Sequence, residues 1–308
     1  MPSHPAPSVA EAVVSTGYRA RLLLLAGLAL SAAAFVFASR AFRVPASPPF
    51  GGSLLAEPSP LVALAVTAVT LLACVLLSTL IAGTIRFDAG LFCATLGMTA
   101  LSMRSGTVGD VLRQHATAHS PTLFVHLALE LVALYAFVAM AWSTLWGLHT
   151  GGRLKADEFR DGVEDTDEPL RFKVAAMLMQ IGVMGLGLLI LAQADAKAQV
   201  LAAVFAAAFA GACAAYSMYP ISPSPWLWVG PLVVGVVGYT IAYFQLADTV
   251  LWRTGQLTHA LAPLARPLPL DYASAGPAGA ILGYWMSRRW HRQRLAESAA
   301  PETTPTAG

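Results

Sequence analysis

Charged residues are scarce in this 308-residue chain, since Asp, Glu, Lys and Arg together make up 12% of it. Soluble domains usually carry about 25%. Hydrophobic residues reach 56%, and no polar stretch is as long as the roughly 50 residues that an independent soluble domain needs. The composition therefore excludes a separate soluble domain. The formal net charge of +2 is too small to indicate a nucleic acid partner.

Cysteine is also rare, with only Cys74, Cys93 and Cys213, all within apolar sequence and none in a C-x-x-C pair. This excludes a disulfide framework and argues against a zinc knuckle or a thioredoxin-type site. Glycine-rich phosphate loops, H-E-x-x-H and G-x-S-x-G are absent as well. The sequence thus favours a protein that is not an enzyme, and it leaves the cofactor unknown.

Long apolar stretches are what the chain does have. There are eight, separated by polar connectors: residues 22–39, 61–85, 89–103, 122–148, 174–194, 200–219, 226–247 and 275–287. In hydrocarbon each backbone must satisfy its own hydrogen bonds, so such stretches form helices. The predicted fold class is an all-α integral membrane protein, a bundle of about eight transmembrane helices. Two of them, 89–103 and 275–287, are shorter than the roughly 20 residues of an ordinary span.

Lysine and arginine counts predict the orientation, because cytoplasmic loops are enriched in these residues. Eight spans with a cytoplasmic N-terminus place 12 of them inside and 7 outside, whereas removing either short span gives 8 inside and 11 outside. We therefore predict a multi-pass protein of the cytoplasmic (inner) membrane with both termini in the cytoplasm. The outer loops are then residues 40–60, 104–121, 195–199 and 248–274.

This topology divides the chain into one membrane domain and two tails. A cytoplasmic tail covers residues 1–21, the membrane domain 22–287, and a basic, then disordered, cytoplasmic tail 288–308. The inner loop 149–173 holds seven of the 17 acidic residues and is interpreted as a solvated linker. The first stretch also fits a cleaved signal peptide, an alternative that leaves the predicted topology unchanged.

Small residues recur at four-residue spacing in two of the stretches. Ala207, Gly211 and Ala215 form one such series, and Gly279 and Gly283 form a G-x-x-x-G pair. This spacing lets helix backbones approach closely in a membrane. The contacts are expected inside the monomer, and an oligomer contact through the last helix is the alternative.

Glu130 is the one ionisable side chain that the hydropathy pattern places well within a span, and such groups are costly there unless they have a partner or a function. His126 precedes it by four residues, and His115 and His119 stand just upstream. Three hypotheses fit this group. A proton relay would use His126 and Glu130, a metal site would combine all three histidines with Glu130, and a structural role would pair Glu130 with neighbouring helices.

The function predicted from these features is the passage of a small solute, an ion or a proton through the membrane. One alternative is a non-catalytic subunit that scaffolds a membrane complex. A further alternative is a membrane-embedded enzyme or metal-binding protein. The lipid bilayer is the predicted partner in every case, and a second copy or a membrane complex is a further candidate partner.

Overall fold

The computed structural model of the protein describes residues 9–41, 53–56, 59–83, 85–114, 121–151, 169–222, 225–246 and 261–299. These residues form α-helices joined by short 3-10 turns, with no strand among them. The α-helices are α1 (Val9–Ala38), α2 (Pro60–Ala82), α3 (Ala89–Ser102), α4 (Val108–Gln114), α5 (Thr122–Thr150), α6 (Leu170–Leu191), α7 (Lys197–Met218), α8 (Gly230–Gln245) and α9 (Pro269–Ala299).

Six helical segments of the described chain are long and apolar enough to cross a membrane. They are Tyr18–Ala38, Pro60–Ala82, Thr122–Thr150, Leu170–Leu191, Lys197–Met218 and Pro225–Gln245. Large apolar side chains on their outer faces are exposed, among them Leu61, Leu80 and Ile190. A surface this apolar suits lipid rather than water. The predicted fold class, an all-α membrane bundle, is confirmed.

The two short apolar stretches, 89–103 and 275–287, lie at the centre of the bundle. α3 has 14 residues, and all but three of them are buried. The stretch 275–287 belongs to a much longer helix, α9, in which every residue from 269 to 281 is buried. Because α9 is shielded from lipid by its neighbours, it does not need the strongly apolar surface of an ordinary span. This explains why its hydropathy signal was short.

Proline marks the beginning of several helices. Pro60 begins α2, Pro231 lies in the first turn of α8, and Pro269 begins α9, positions where the missing N–H costs no helical hydrogen bond. Pro277 differs, because it lies inside α9 and leaves the carbonyl of Ala273 without its usual helical donor. Such breaks are tolerated in membrane helices that are packed among others.

α3 and α9 run antiparallel along their shared length. At one end Ser102 of α3 donates a hydrogen bond to Asp271 of α9, and at the other Trp285 of α9 donates to Asp88, which precedes α3. We call these the Glu130 end and the Asp88 end of the bundle, because Glu130 lies towards the first. α1 runs alongside α3 in the same direction, because its Leu24 carbonyl accepts from Cys93 near the start of α3 and its Ser31 lies against Gly97 farther along. The chain therefore enters and leaves the bundle at the Asp88 end.

The glycine pair of α9 lies against α7. A Cβ added to Gly279 would overlap the carbonyl oxygen of Phe205, and one added to Gly283 would overlap that of Phe209. On α7, Ala207, Gly211 and Ala215 are buried, and Gly211 lies against Gln180 of α6. Both series of small residues thus make their close contacts within one chain.

The helices extend beyond the expected boundaries of the membrane domain. α1 begins at Val9, within the expected tail 1–21, and α9 continues to Ala299, within the expected tail 288–308. A basic segment that directly follows a span can continue its helix, since Arg is a good helix former. Most of the acidic loop, residues 152–168, lies outside the described residues.

Candidate functional site

Glu130 is completely buried in α5. Its Oε2 accepts a hydrogen bond of 2.5 Å from the Ser53 hydroxyl and a longer one of 3.3 Å from the Leu55 N–H. Both donors belong to the segment that precedes α2 and reaches in towards α5. The other oxygen, Oε1, is buried and receives no hydrogen bond from the part of the chain that the structure describes. Half of this carboxylate is therefore available to a further partner.

A buried ion pair lies at the same end of the bundle. The Lys197 Nζ is 2.7 Å from the Asp271 Oδ1, and the Ser102 hydroxyl donates to the same oxygen. The Leu268 N–H donates to Asp271 Oδ2 over 2.8 Å. Asp271 is in the first turn of α9, where the helix dipole and free N–H groups favour a carboxylate. Lys197 reaches it from the first position of α7.

These groups form one electrostatic unit. The Lys197 charge also acts on Glu130, and the buried Tyr239 lies near enough to both acids to interact with them. We call Glu130, Lys197 and Asp271 the Glu130 cluster. Among its three members there are two carboxyl groups and one ammonium, so with every group ionised the cluster carries one net negative charge. A bound proton or small cation would balance that charge.

His126 does not join this cluster. Its side chain is exposed, and its Nδ1 lies 3.0 Å from the Thr122 carbonyl oxygen of its own helix. Four helical residues turn about 40° past a full turn, which is enough to put Glu130 in the core and His126 on the surface. The structure therefore does not support a relay between these two side chains.

The described residues alone do not form the metal site that was one of the three hypotheses. His115 and His119 lie outside the described residues, and those that are described contain no group of three or more His, Cys, Asp or Glu side chains placed to hold a metal ion. The involvement of the two loop histidines stays a prediction.

Asp110 and Arg113, which precede His115 in the sequence, serve local structure. Asp110 accepts hydrogen bonds from the Thr107 N–H over 2.8 Å and the Thr107 hydroxyl over 2.9 Å, and Arg113 donates to it over 2.8 Å. Partial burial alone would raise the pKa of Asp110, but these donors outweigh it and hold the pKa below its usual value. This arrangement fixes the start of α4.

A second buried carboxylate, Asp88, lies at the opposite end of the bundle. Its Oδ2 accepts a 2.8 Å hydrogen bond from Trp285 Nε1–H, and Arg86 Nε lies 3.4 Å from its Oδ1. The Arg86 guanidinium also stacks over the Trp285 ring at 4.8 Å from the centroid, a favourable cation–π contact. Asp88 is only 2% exposed, so these partners replace water around it.

A small cavity of about 20 Å³ lies beside Asp88. Its walls are Asp88, Trp142, Leu227, Trp228, Ala280, Ile281 and Tyr284. Trp228 is buried, and its indole N–H has no hydrogen-bond partner among the described residues. The residues that line the cavity therefore include both a carboxylate and a side chain with an unused donor.

The hydropathy pattern missed Lys197, Asp271 and Asp88 because they lie just outside the apolar stretches. One usable signal was present for Asp271: a proline at the first position, Pro269, followed by an acid in the same first turn is typical of a helix beginning. No comparable signal linked Lys197 to it, since the two are far apart in the sequence.

Comparison of the chain with models of known protein families, with curated protein sequences and with solved structures gives no match.

Proposed function

We propose that the protein carries protons across the membrane and that the Glu130 cluster is the proton-binding site. The observation that carries this proposal is the buried charge count, two carboxyl groups against one ammonium. An unbalanced charge is costly away from water, so a proton on the cluster is stabilising. The unbonded Glu130 Oε1 is the atom best placed to receive it.

The proposed orientation follows the lysine and arginine distribution. It places the Glu130 end on the outer side of the cytoplasmic membrane and the Asp88 end in the cytoplasm. A proton would then reach the Glu130 cluster from outside. Lys197, which pairs with Asp271 and also interacts with Glu130, would favour Asp271 while Glu130 is protonated and would stabilise both acids once the proton has left.

The test compares three variants in proteoliposomes that contain a pH-sensitive dye. Glu130→Gln keeps the size and hydrogen bonding of the side chain but cannot titrate, so we expect proton flux to fall to the level of empty liposomes. Glu130→Leu should lose flux and also thermal stability, because Ser53 and Leu55 lose their acceptor. Glu297→Gln, at an exposed acid of α9, is the matched control and should keep full flux. Undiminished flux in Glu130→Gln would overturn the proposal.

A non-catalytic scaffold subunit is the second candidate, and one observation favours it. The Ser53 hydroxyl and the Leu55 N–H already hold Glu130 within the fold, as a purely structural carboxylate would require. In that case reconstituted protein shows no proton flux, Glu130→Gln is nearly silent in thermal stability, and Glu130→Leu alone destabilises the bundle. The same set of variants therefore separates the two functions.

A further inference from the structure

We infer that the cavity beside Asp88 binds one water molecule, which bridges the Trp228 N–H to the Asp88 carboxylate. We further infer that this hydrated carboxylate is the second polar station of the passage, at the face opposite the Glu130 cluster. The role in passage rests on the proposed function, whereas the water site stands independently of it.

The size of the cavity fits a single water. Its volume of about 20 Å³ exceeds the roughly 10–15 Å³ that one water requires. Buried waters usually satisfy polar groups that the protein leaves unpaired. The Trp228 N–H is such a group, because it is buried without a partner among the described residues.

The chemistry of the walls selects water over a cation. Trp228 offers only a hydrogen-bond donor, so its partner must accept a hydrogen bond. Asp88 is an acceptor whose two oxygens each have capacity beyond the single bonds from Trp285 and Arg86. The occupant must therefore accept from one wall and donate to the other. Water does both, whereas an ammonium ion or a metal cation cannot accept.

The charges around Asp88 keep this station distinct from the Glu130 cluster. The titratable and charged groups near it are Arg86 on its own segment, Tyr216 on α7, and Tyr284 and Arg288 on α9. Arg86 pairs with Asp88 directly, and Tyr284 interacts electrostatically with Arg288, Asp88, Tyr216 and Arg86. Asp88 is thus held by Arg86 and Trp285, and its remaining acceptor capacity orients the bridging water. The expected role is to pass protons to bulk water, whereas the Glu130 cluster stores them.

The experiment uses the full chain in lipid nanodiscs with ¹⁵N-labelled tryptophan. We expect the Trp228 indole signal, assigned from its loss in Trp228→Phe, to show magnetisation transfer from water. Trp285 serves as an internal control, because its N–H bonds directly to Asp88 and should show no such transfer. In Asp88→Leu the bridging water loses its second partner, so the Trp228 transfer should disappear. If the parent Trp228 signal shows no transfer from water, the site is refuted.

Flux then tests the role in passage. Trp228→Phe and Trp290→Phe make the same change of side chain, but only the first lies in the cavity wall and removes the proposed water donor, since Trp290 is exposed outside the cavity. Proton flux should fall several-fold in Trp228→Phe and stay near the parent value in Trp290→Phe. Equal flux in the two variants would refute the second station. A parent that transfers magnetisation from water to Trp228 but carries no protons would refute the proposed function and leave the water site in place.

Discussion

At the scale of single residues, the ion pair between Lys197 and Asp271 is the shortest among the described residues, at 2.7 Å. It is nearly inaccessible to water, with side-chain exposures of 12% and 1%. Removing one partner of such a pair leaves an uncompensated buried charge, which typically costs about 3–5 kcal/mol. Removing both charges together costs less, because nothing buried remains unpaired.

We therefore expect Lys197→Met and Asp271→Asn each to lower the free energy of unfolding by about 3–5 kcal/mol. The double variant should lose clearly less than the sum of the two. Unfolding in mild detergent, followed by intrinsic tryptophan fluorescence, measures all three. Arg113→Met is the control, because its ion pair with Asp110 is largely exposed and such pairs contribute about 0–1 kcal/mol. Additive losses would show that the pair is not coupled.

The surroundings of Glu130 show which features of the site could be predicted from the sequence and which could not. Glu130 was identified correctly as a buried acid, because a single charge within a long apolar stretch is unmistakable. Its donor Ser53, 77 positions away, left no trace in the pattern, because tertiary contacts between loops and helices have no sequence period. His126 was placed beside Glu130 by spacing alone, and spacing cannot tell which side of the burial boundary a residue occupies.

At the scale of helices, the contact between α9 and α7 depends on glycine. No side chain fits between Gly279 or Gly283 and the facing carbonyl oxygens of Phe205 and Phe209. Close backbone approach of this kind drives helix association in membranes, where no hydrophobic force separates helix from lipid.

Gly279→Leu and Gly283→Leu should each lower thermal stability in detergent, by at least the 1–3 kcal/mol that overpacking usually costs. Their apparent mass should equal that of the parent, because the contact lies within one chain. Gly185→Leu on α6 is the matched control, since a Cβ there meets no atom within 4 Å, and it should be nearly silent. If both α9 variants were as stable as the parent, the close-contact interpretation would be wrong. A change of mass would instead indicate an oligomer contact.

The helices that sequence located well are those that face lipid, because their composition must match hydrocarbon over a full span. α9 was underestimated for the opposite reason. Buried among other helices, it can hold Asp271, Tyr272 and Ser274 in its first turns, and their polarity shortened the apolar signal.

At the scale of the whole molecule, α1 begins and α9 ends at the same side of the bundle. This arrangement requires an even number of crossings by the chain between them, as the lysine and arginine counts also predicted. The membrane face that this side occupies stays a prediction, which the positive residues near it place in the cytoplasm.

Reporter fusions test this topology. A fusion at residue 160, within the acidic loop, and one after residue 308 should both report a cytoplasmic location, and a fusion at residue 47 should report the outer side. Each site is fused in parallel to a reporter that is active only in the cytoplasm and to one that is active only outside. Every site should then give a positive signal with one of the two reporters. A C-terminus on the outer side would contradict the eight-crossing bundle.

The short distance between the Asp88 end and the Glu130 end, along α3 and α9, also has an electrical consequence. From Asp88 to Ser102, and from Trp285 to Asp271, the chain advances fourteen residues, or about 21 Å at 1.5 Å per residue. The hydrocarbon around the bundle is about 30 Å thick. If the proposed proton passage brings water to both polar ends, the membrane voltage would fall over the shorter path, and the field there would be about 1.4 times that in the surrounding lipid. A charge passing between the ends would still gain the full 2.3 kcal/mol or so per 100 mV. The charge would gain this energy along the glycine- and alanine-rich part of α9. We therefore expect the electric field to be stronger at this segment than at any lipid-facing helix.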